Sequence, residues 1–313
     1  MLARVLKSTG NWYNVKAEDG QYYRCRIRGK LRTKGIKTTN PVAAGDFVII
    51  EVEREEEGNI ASILEIQQRK NYIIRKSVNL SKEAQVVAAN VDTAFLVITT
   101  LRPQTTTGFI DRFLVAANAY DIPVTLLFHK WDQYTESEKR EAEELIRIYQ
   151  SIGYAVLKTS LETMEGIPAL TREMMGKTVL FSGHSGVGKS SLIQHFIPTI
   201  EVRVGEISEW SEKGQHTTTF AEVFEWEDKG FIIDTPGIKG FGLVDIPKEE
   251  IGLYFPEMFA KLPECKFNSC QHLEEPHCAV RQAVMSGEIP KTRYDNYRSM
   301  LLDDETKSPY RTL

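Results

Sequence analysis

Cysteine is scarce in this chain, and a long apolar run is missing altogether. Four cysteines in 313 residues are too few for a disulfide scaffold. Three of the four fall between Cys265 and Cys278, a clustering that points to a metal and a reducing compartment. No stretch approaches the roughly 18 apolar residues needed to span a bilayer, so no membrane partner is expected. The opening Met1-Leu2-Ala3-Arg4-Val5-Leu6-Lys7 has no apolar core of the secretory kind. A cytoplasmic protein is therefore expected. Internal repeats and low-complexity segments are also absent.

What is present is ordinary globular composition, 42% hydrophobic and 26% charged, long enough for two or three domains. The net charge of −4 hides an asymmetry. Residues 1–50 hold ten Lys/Arg against three Asp/Glu, and the remaining chain is correspondingly acidic. A basic first segment on an acidic body fits a polyanion partner, although a solvated charged face reads equally well from charge alone.

Residues 1–68 read as five short strands separated by turn signals, among them Ala3–Ser8, Gln21–Ile27, Phe47–Val52 and Ile60–Ile66. That density predicts a small all-β barrel of the oligonucleotide-binding type. Its loop carries Lys30, Arg32, Lys34 and Lys37, and Trp12, Tyr13, Tyr22 and Tyr23 are candidate stacking faces. From about residue 70 to 245 strands and helices alternate, which predicts an α/β domain with a parallel sheet. Val91–Thr99 is apolar almost throughout, as a strand buried on both faces must be. Residues 246–313 read as mostly helical around the cysteine cluster. Within them Arg293, Tyr294, Tyr297 and Arg298 fall at helical spacing, an expected RNA- or protein-facing stripe.

Gly183-His184-Ser185-Gly186-Val187-Gly188-Lys189-Ser190 matches the P-loop pattern in full, and Ser191 follows it. A strand, Thr178–Phe181, enters this loop and an apolar helix leaves it. Glycines let backbone N–H groups close around phosphate, and the helix N-terminus adds partial positive charge. Lys189 is expected to reach the β- and γ-phosphates and Ser190 to ligate Mg²⁺. Asp234-Thr235-Pro236-Gly237 ends an apolar strand, where Asp234 would join the Mg²⁺ shell and the Gly237 N–H would meet the γ-phosphate. Between the two lies Gly214-Gln215-His216-Thr217-Thr218-Thr219. It reads as a switch loop supplying Thr217 or Thr218 to Mg²⁺, or else as an edge strand.

His129-Lys130-Trp131-Asp132 directly follows the strand Val124–Phe128, where open α/β sheets bind ligands. The Asp132 carboxylate would accept from N1–H and the 2-amino group of guanine, a pattern adenine lacks. Lys130 would lie along the base, and the loop at Ser160 would touch O6. This base-reading segment precedes the phosphate loop, whereas GTP-binding domains ordinarily run the other way. If both motifs serve one GTP, the domain is circularly permuted. Cys265-x4-Cys270-x-His272-x5-Cys278 offers three thiolates and an imidazole, a closed structural set for one Zn²⁺. His277 is an alternative ligand.

With these residues in order, the chain resembles the circularly permuted RsgA (YjeQ) family of small-ribosomal-subunit-dependent GTPases. The resemblance spans the chain and rests on GHSGVGKSS from Gly183, GQHTTT from Gly214, DTPGIKGFG from Asp234 and the Cys/His cluster. It implies GTP hydrolysis to GDP with Mg²⁺, stimulated by the small ribosomal subunit late in its maturation, with the barrel on rRNA. It also implies one structural zinc and His216 as the residue that orients the attacking water. A monomer is expected, with Lys189 and Thr218 sharing in catalysis. Three positions depart from the family: His129 stands where Asn is usual, Leu161 where Ala follows the serine, and Gln215 where Arg is common. Ile238 also occupies the place of the Ras-type catalytic Gln. A GTPase acting on another RNA, and a nucleic-acid-binding adaptor with a weak nucleotide site, are the alternatives. A further expectation is that the zinc module shifts against the barrel when the Asp234–Gly237 turn orders around γ-phosphate.

Overall fold

The computed structural model describes residues 1–29, 41–53, 59–76, 84–198, 221–227, 229–234 and 246–302. The basic loop of Lys30, Arg32, Lys34 and Lys37 lies outside them. So do the switch segment with Gln215, His216, Thr217 and Thr218, and the turn from Thr235 through Gly237 to Ile238.

Five strands open the chain: β1 (Leu2–Ser8), β2 (Tyr13–Ala17), β3 (Tyr22–Ile27), β4 (Phe47–Val52) and β5 (Ile60–Ile66). They pair in the order β1-β2-β3-β5-β4, and a β1–β4 ladder closes the ring. β3 and β5 run parallel and the other pairs antiparallel. Closure removes the sheet edges, and alternate residues such as Val5, Val15, Cys25, Val48, Ile50 and Ile63 fill the interior. Tyr13 belongs to that interior at 2% exposure, so it is not the stacking face expected of it. Its ring fills the taper that smaller side chains would leave empty. Tyr22, 55% exposed, does face solvent.

The chain does not pass straight from barrel to alternating strands and helices. A hairpin, β6 (Tyr72–Lys76) with β7 (Ala84–Ala89), comes first. An isolated hairpin is marginal in water. This one is covered because Ile73 and Ala88 sink into the core of the next domain alongside Phe113 and Leu114.

That domain places β8 (Thr93–Ile98), β9 (Val124–His129), β10 (Ala155–Thr159), β11 (Thr178–Ser182), β12 (Glu222–Glu225) and β13 (Phe231–Asp234) in one sheet, ordered β10-β9-β8-β11-β13-β12. All pairs are parallel except β12–β13. Strand β11, which carries the phosphate loop, lies between β8 and β13, and β8, β9 and β11 are buried along their whole length. Around the sheet lie α1 (Thr107–Ala119), α2 (Glu136–Ser151), α3 (Ile167–Met174) and α4 (Lys189–Phe196). The Thr135/Glu138 capping box starts α2.

Lys7 of β1 pairs with Glu222 of β12, so barrel and domain form one continuous sheet of 11 strands. Arg4 staples the joint from beneath. Its guanidinium lies 4.2 Å from the Phe231 ring centroid and 5.1 Å from that of Phe47, and it donates to Thr178 Oγ1 at 2.5 Å. Burial pushes the Arg4 pKa down to about 10.

Beyond residue 246 the described residues form a 3-10 segment, Lys248–Tyr254, then α5 (Pro256–Lys261), α6 (Ala279–Ser286) and α7 (Lys291–Leu302). Ile251, Phe255, Met258, Val280, Ile289 and Met300 make their core. Arg293, Tyr294 and Tyr297 are buried in it, at 1%, 8% and 2% exposure, so the expected exposed stripe does not exist. Only Arg298 of that set reaches solvent. The spacing is helical, but the face turns inward because the Asp111 and Glu257 carboxylates meet the guanidinium.

Candidate functional site

The phosphate loop bridges β11 and α4, and its backbone needs glycine at two positions for different reasons. Gly183 has φ 143°, and a Cβ there would stand 2.4 Å from the Val97 carbonyl oxygen. Gly188 has φ 105°, and a Cβ there would strike the His129 ring at 2.6 Å. Lys189 opens α4 and folds back over the loop, its Nζ donating to the carbonyls of Gly183 at 2.8 Å and His184 at 2.6 Å. Burial pushes its pKa down to about 8, while the Asp234 carboxylate pulls the other way. An ammonium hydrogen-bonded to carbonyl dipoles is poised to exchange them for phosphate oxygens. Val187 is buried, anchoring the loop, whereas Ser185, Gly186, Ser190 and Ser191 are exposed. Asp234 stands at the carboxyl end of β13, beside the phosphate-loop strand.

His129 ends β9 and Lys130 turns the chain through φ 60° into a 3-10 turn, Trp131–Gln133. This puts both residues against the phosphate loop. The Lys130 Nζ donates to the Gly186 carbonyl at 2.7 Å. The His129 ring touches Gly188 and shares a 3.0 Å hydrogen bond between its Nδ1 and Thr159 Oγ1. Burial, reinforced by the Lys130 charge, pushes the His129 pKa down to about 4. A neutral imidazole is thus available where an amide was expected. The Asp132 side chain is exposed next to it, and buried Trp131 packs on Tyr134 at 5.3 Å.

Ser160 is fully buried and organises its own loop. Its Oγ accepts from the Glu162 and Thr163 amides, and its N–H donates to the Glu165 carbonyl. The Ser160 amide is therefore already committed inside the turn. Residues that sequence alone did not single out complete the surroundings. Thr159 orients His129, Phe109 stacks on His184, and Pro103 lies close to Gly186. Nothing in their types or spacing marked them.

In the C-terminal module Cys265, Cys270, His272 and Cys278 are all buried, with their ligand atoms within 4.8 Å of one another. The His272 Nδ1 lies 3.7 Å from the Cys265 Sγ and 3.4 Å from the Cys278 Sγ. Tetrahedral ligands at zinc distances stand roughly 3.5–3.8 Å apart, so donor set and spacing fit one such ion. His272, not His277, is the residue turned into the cluster. The Glu275 carboxylate fixes the intervening loop by accepting the amides of Gln271, Leu273 and Glu274. Tyr294 and Tyr297 donate to the carbonyls of His272 and Gln271, both at 2.6 Å. Burial pushes the Cys270 thiol up to about 12 and raises Cys278 as well. Bare thiolates are costly there, and a cation would be needed to hold them charged.

Comparison with known proteins agrees with this layout. Residues 66–244 match the family model described as RsgA GTPase, and residues 3–60 match RsgA N-terminal domain. A Bacteroides fragilis protein named small ribosomal subunit biogenesis GTPase RsgA is 52% identical over 305 residues, covering 97% of each chain. A protein of the same name from Flavobacterium johnsoniae is 49% identical over 312 residues, 100% of this chain and 95% of that one. Among solved structures, YjeQ from Thermotoga maritima superposes with a TM-score of 0.77 at 34% identity over 96% of both chains. YloQ, a circularly permuted GTPase, gives 0.75 at 30% identity over 98% of this chain and 96% of its own.

Proposed function

The chain belongs to the RsgA family and is a circularly permuted GTPase, and from that premise we propose that it hydrolyses GTP in the assembly of the small ribosomal subunit, contacting ribosomal RNA. The observation that carries this reading is the meeting of two loops separated in reversed order along the chain. The Lys130–Gly186 hydrogen bond and the His129–Gly188 contact bring the start of the base-reading loop against the phosphate loop.

At that junction the amides from Gly183 to Ser191 would cradle the phosphates, and Lys189 would neutralise developing charge. Ser190, Asp234 and one of Thr217 and Thr218 would hold Mg²⁺, which would supply positive charge against the phosphate oxygens. The Gly237 amide would meet the γ-phosphate, by its place just after Asp234 in the sequence. Asp132 reads the guanine edge while neutral His129 and the Ser160 loop line the base. His216 orients the attacking water, since Ile238 has no group for it. His216→Ala is expected to keep GTP affinity while slowing turnover about tenfold or more. Unchanged phosphate release would remove His216 from the reaction.

The barrel offers Arg24 and Arg26 packed on Trp12, at 4.3 and 3.8 Å from its ring, beside exposed Tyr22. Guanidinium and aromatic faces of this kind hold a polyanion strand, and a ribosomal partner fits a cytoplasmic protein. Cys265, Cys270, His272 and Cys278 hold one Zn²⁺, which supplies structural cross-linking and no chemistry. Glu275→Ala is expected to weaken zinc about tenfold, because the outer partners of ligand loops are worth that much. Competition with a chromophoric chelator measures it, and an unchanged zinc affinity would show the carboxylate to be incidental. GTP hydrolysis with and without purified small subunits tests the whole reading. Stimulation by tRNA in their place would favour another RNA target, and no hydrolysis under any condition would refute a GTPase.

A further inference from the structure

Helix α1 lies between two parts of the molecule that share no chain continuity. On one side, the buried Phe109 ring stacks on His184 of the phosphate loop, centroids 3.8 Å apart at 30°. The same His184 supplies the carbonyl that holds Lys189 Nζ at 2.6 Å. Two residues further, about 200° around the helix, Asp111 is fully buried against the C-terminal module. Its Oδ1 accepts from Arg293 at 2.6 Å and from Tyr149 at 2.7 Å, and its Oδ2 accepts from Asn296 at 2.6 Å. Arg293 also donates to Glu257 at 2.7 Å.

We propose that Phe109 is a positioning residue for Lys189, acting through His184, and that the C-terminal module holds Phe109 in register through the Arg293–Asp111–Asn296 cluster. This rests on the GTP-site reading above and adds to it. The links run from half-buried Lys189 and His184 to buried Phe109, and from buried Asp111 to buried Arg293 and half-buried Asn296. A helix of 13 residues is stiff along its axis, so a shift of Asp111 on one face moves Phe109 on the other. A carboxylate with three donors inside the protein has few alternative positions, because any displacement strands a charge or a donor. A second strut joins the same helix to the same module: the Asn118 amide donates to the Tyr254 carbonyl at 2.9 Å. The Asp111 cluster is in turn built on α7, whose Tyr294 and Tyr297 grip the Cys/His loop. Loosening the C-terminal module is thereby felt at the phosphate-loop lysine, and the dependence is reciprocal.

The test uses the full chain and a fluorescent GDP analogue, at temperatures well below melting. Phe109→Leu, which keeps an apolar residue but removes the stack, is expected to weaken GDP binding about tenfold. Asn296→Ala touches no part of the phosphate loop, yet is expected to weaken it about threefold. In the double variant the effects should not add, because both act through α1. Two results overturn the proposal: Asn296→Ala lowering Tm while GDP affinity stays at the wild-type value, or simple additivity of the pair. Unchanged affinity in Phe109→Leu overturns it equally. If the wild-type protein binds no guanosine nucleotide, the site reading itself falls and takes this proposal with it, an outcome distinguished by the wild-type control.

Discussion

Replacing Lys189 with alanine is expected to abolish measurable GTP hydrolysis, a fall of about 10³-fold or more. The ammonium is the cation at the mouth of α4, and among the described residues its hydrogen bonds go to the Gly183 and His184 carbonyls. Burial has already pushed its pKa down to about 8, so its charge is poorly solvated before a ligand arrives. Phosphate oxygens supply what those carbonyls supply incompletely, and supply it most strongly as negative charge builds in the transition state. Alanine removes that cation while leaving the helix intact, since it is the best helix former. The side chain supports no core, so folding is expected to be retained, and a far-ultraviolet spectrum is the control. Phosphate release is the readout. Hydrolysis within a factor of ten of wild type would mean that the chemistry resides elsewhere. An adaptor with a silent nucleotide site predicts no wild-type activity to lose.

The phosphate loop and the cysteine cluster were legible because their chemistry is local. Gly183 to Ser190 is one turn of backbone, and three thiols and an imidazole lie within one short loop, so spacing along the chain stands in for spacing in space. The same holds for β8, β9 and β11, whose unbroken apolar runs demand burial on both faces. Arg293 failed for the opposite reason. Beside two tyrosines at helical spacing a guanidinium looks solvent-facing, and its partner Asp111 lies 182 residues away. Tyr13 misled similarly, since an aromatic in a small barrel fills the interior or the groove according to strand register alone. The β6–β7 hairpin escaped notice because its cover comes from α1 and the parallel sheet, not from its own sequence. The β1–β12 ladder is a single pair, Lys7 with Glu222, which no pattern announces.

The base-reading end yields the other large effect, and it is a reversal, not a simple loss. Asp132→Asn is expected to weaken guanosine nucleotides about 10²-fold or more, since two hydrogen bonds to a charged acceptor are each worth roughly 1.5–3 kcal/mol. The same change should favour xanthosine nucleotides over guanosine ones. An amide still accepts from N1–H, while its NH₂ now donates to the 2-oxo group that replaces the 2-amino group. The Asp132 side chain is exposed, so the exchange disturbs no packing. What keeps the reversal clean is the neighbouring ring. With its pKa near 4, His129 stays neutral through the physiological range and brings no charge to the base edge. Its Nδ1 is tied to Thr159 and its far side to Gly188, so it does not rotate to follow a new base. Competition between GDP and xanthosine diphosphate for one site reads the outcome. Equal loss for both bases would place Asp132 in loop folding, and no loss for either would separate the 129–132 loop from the nucleotide altogether.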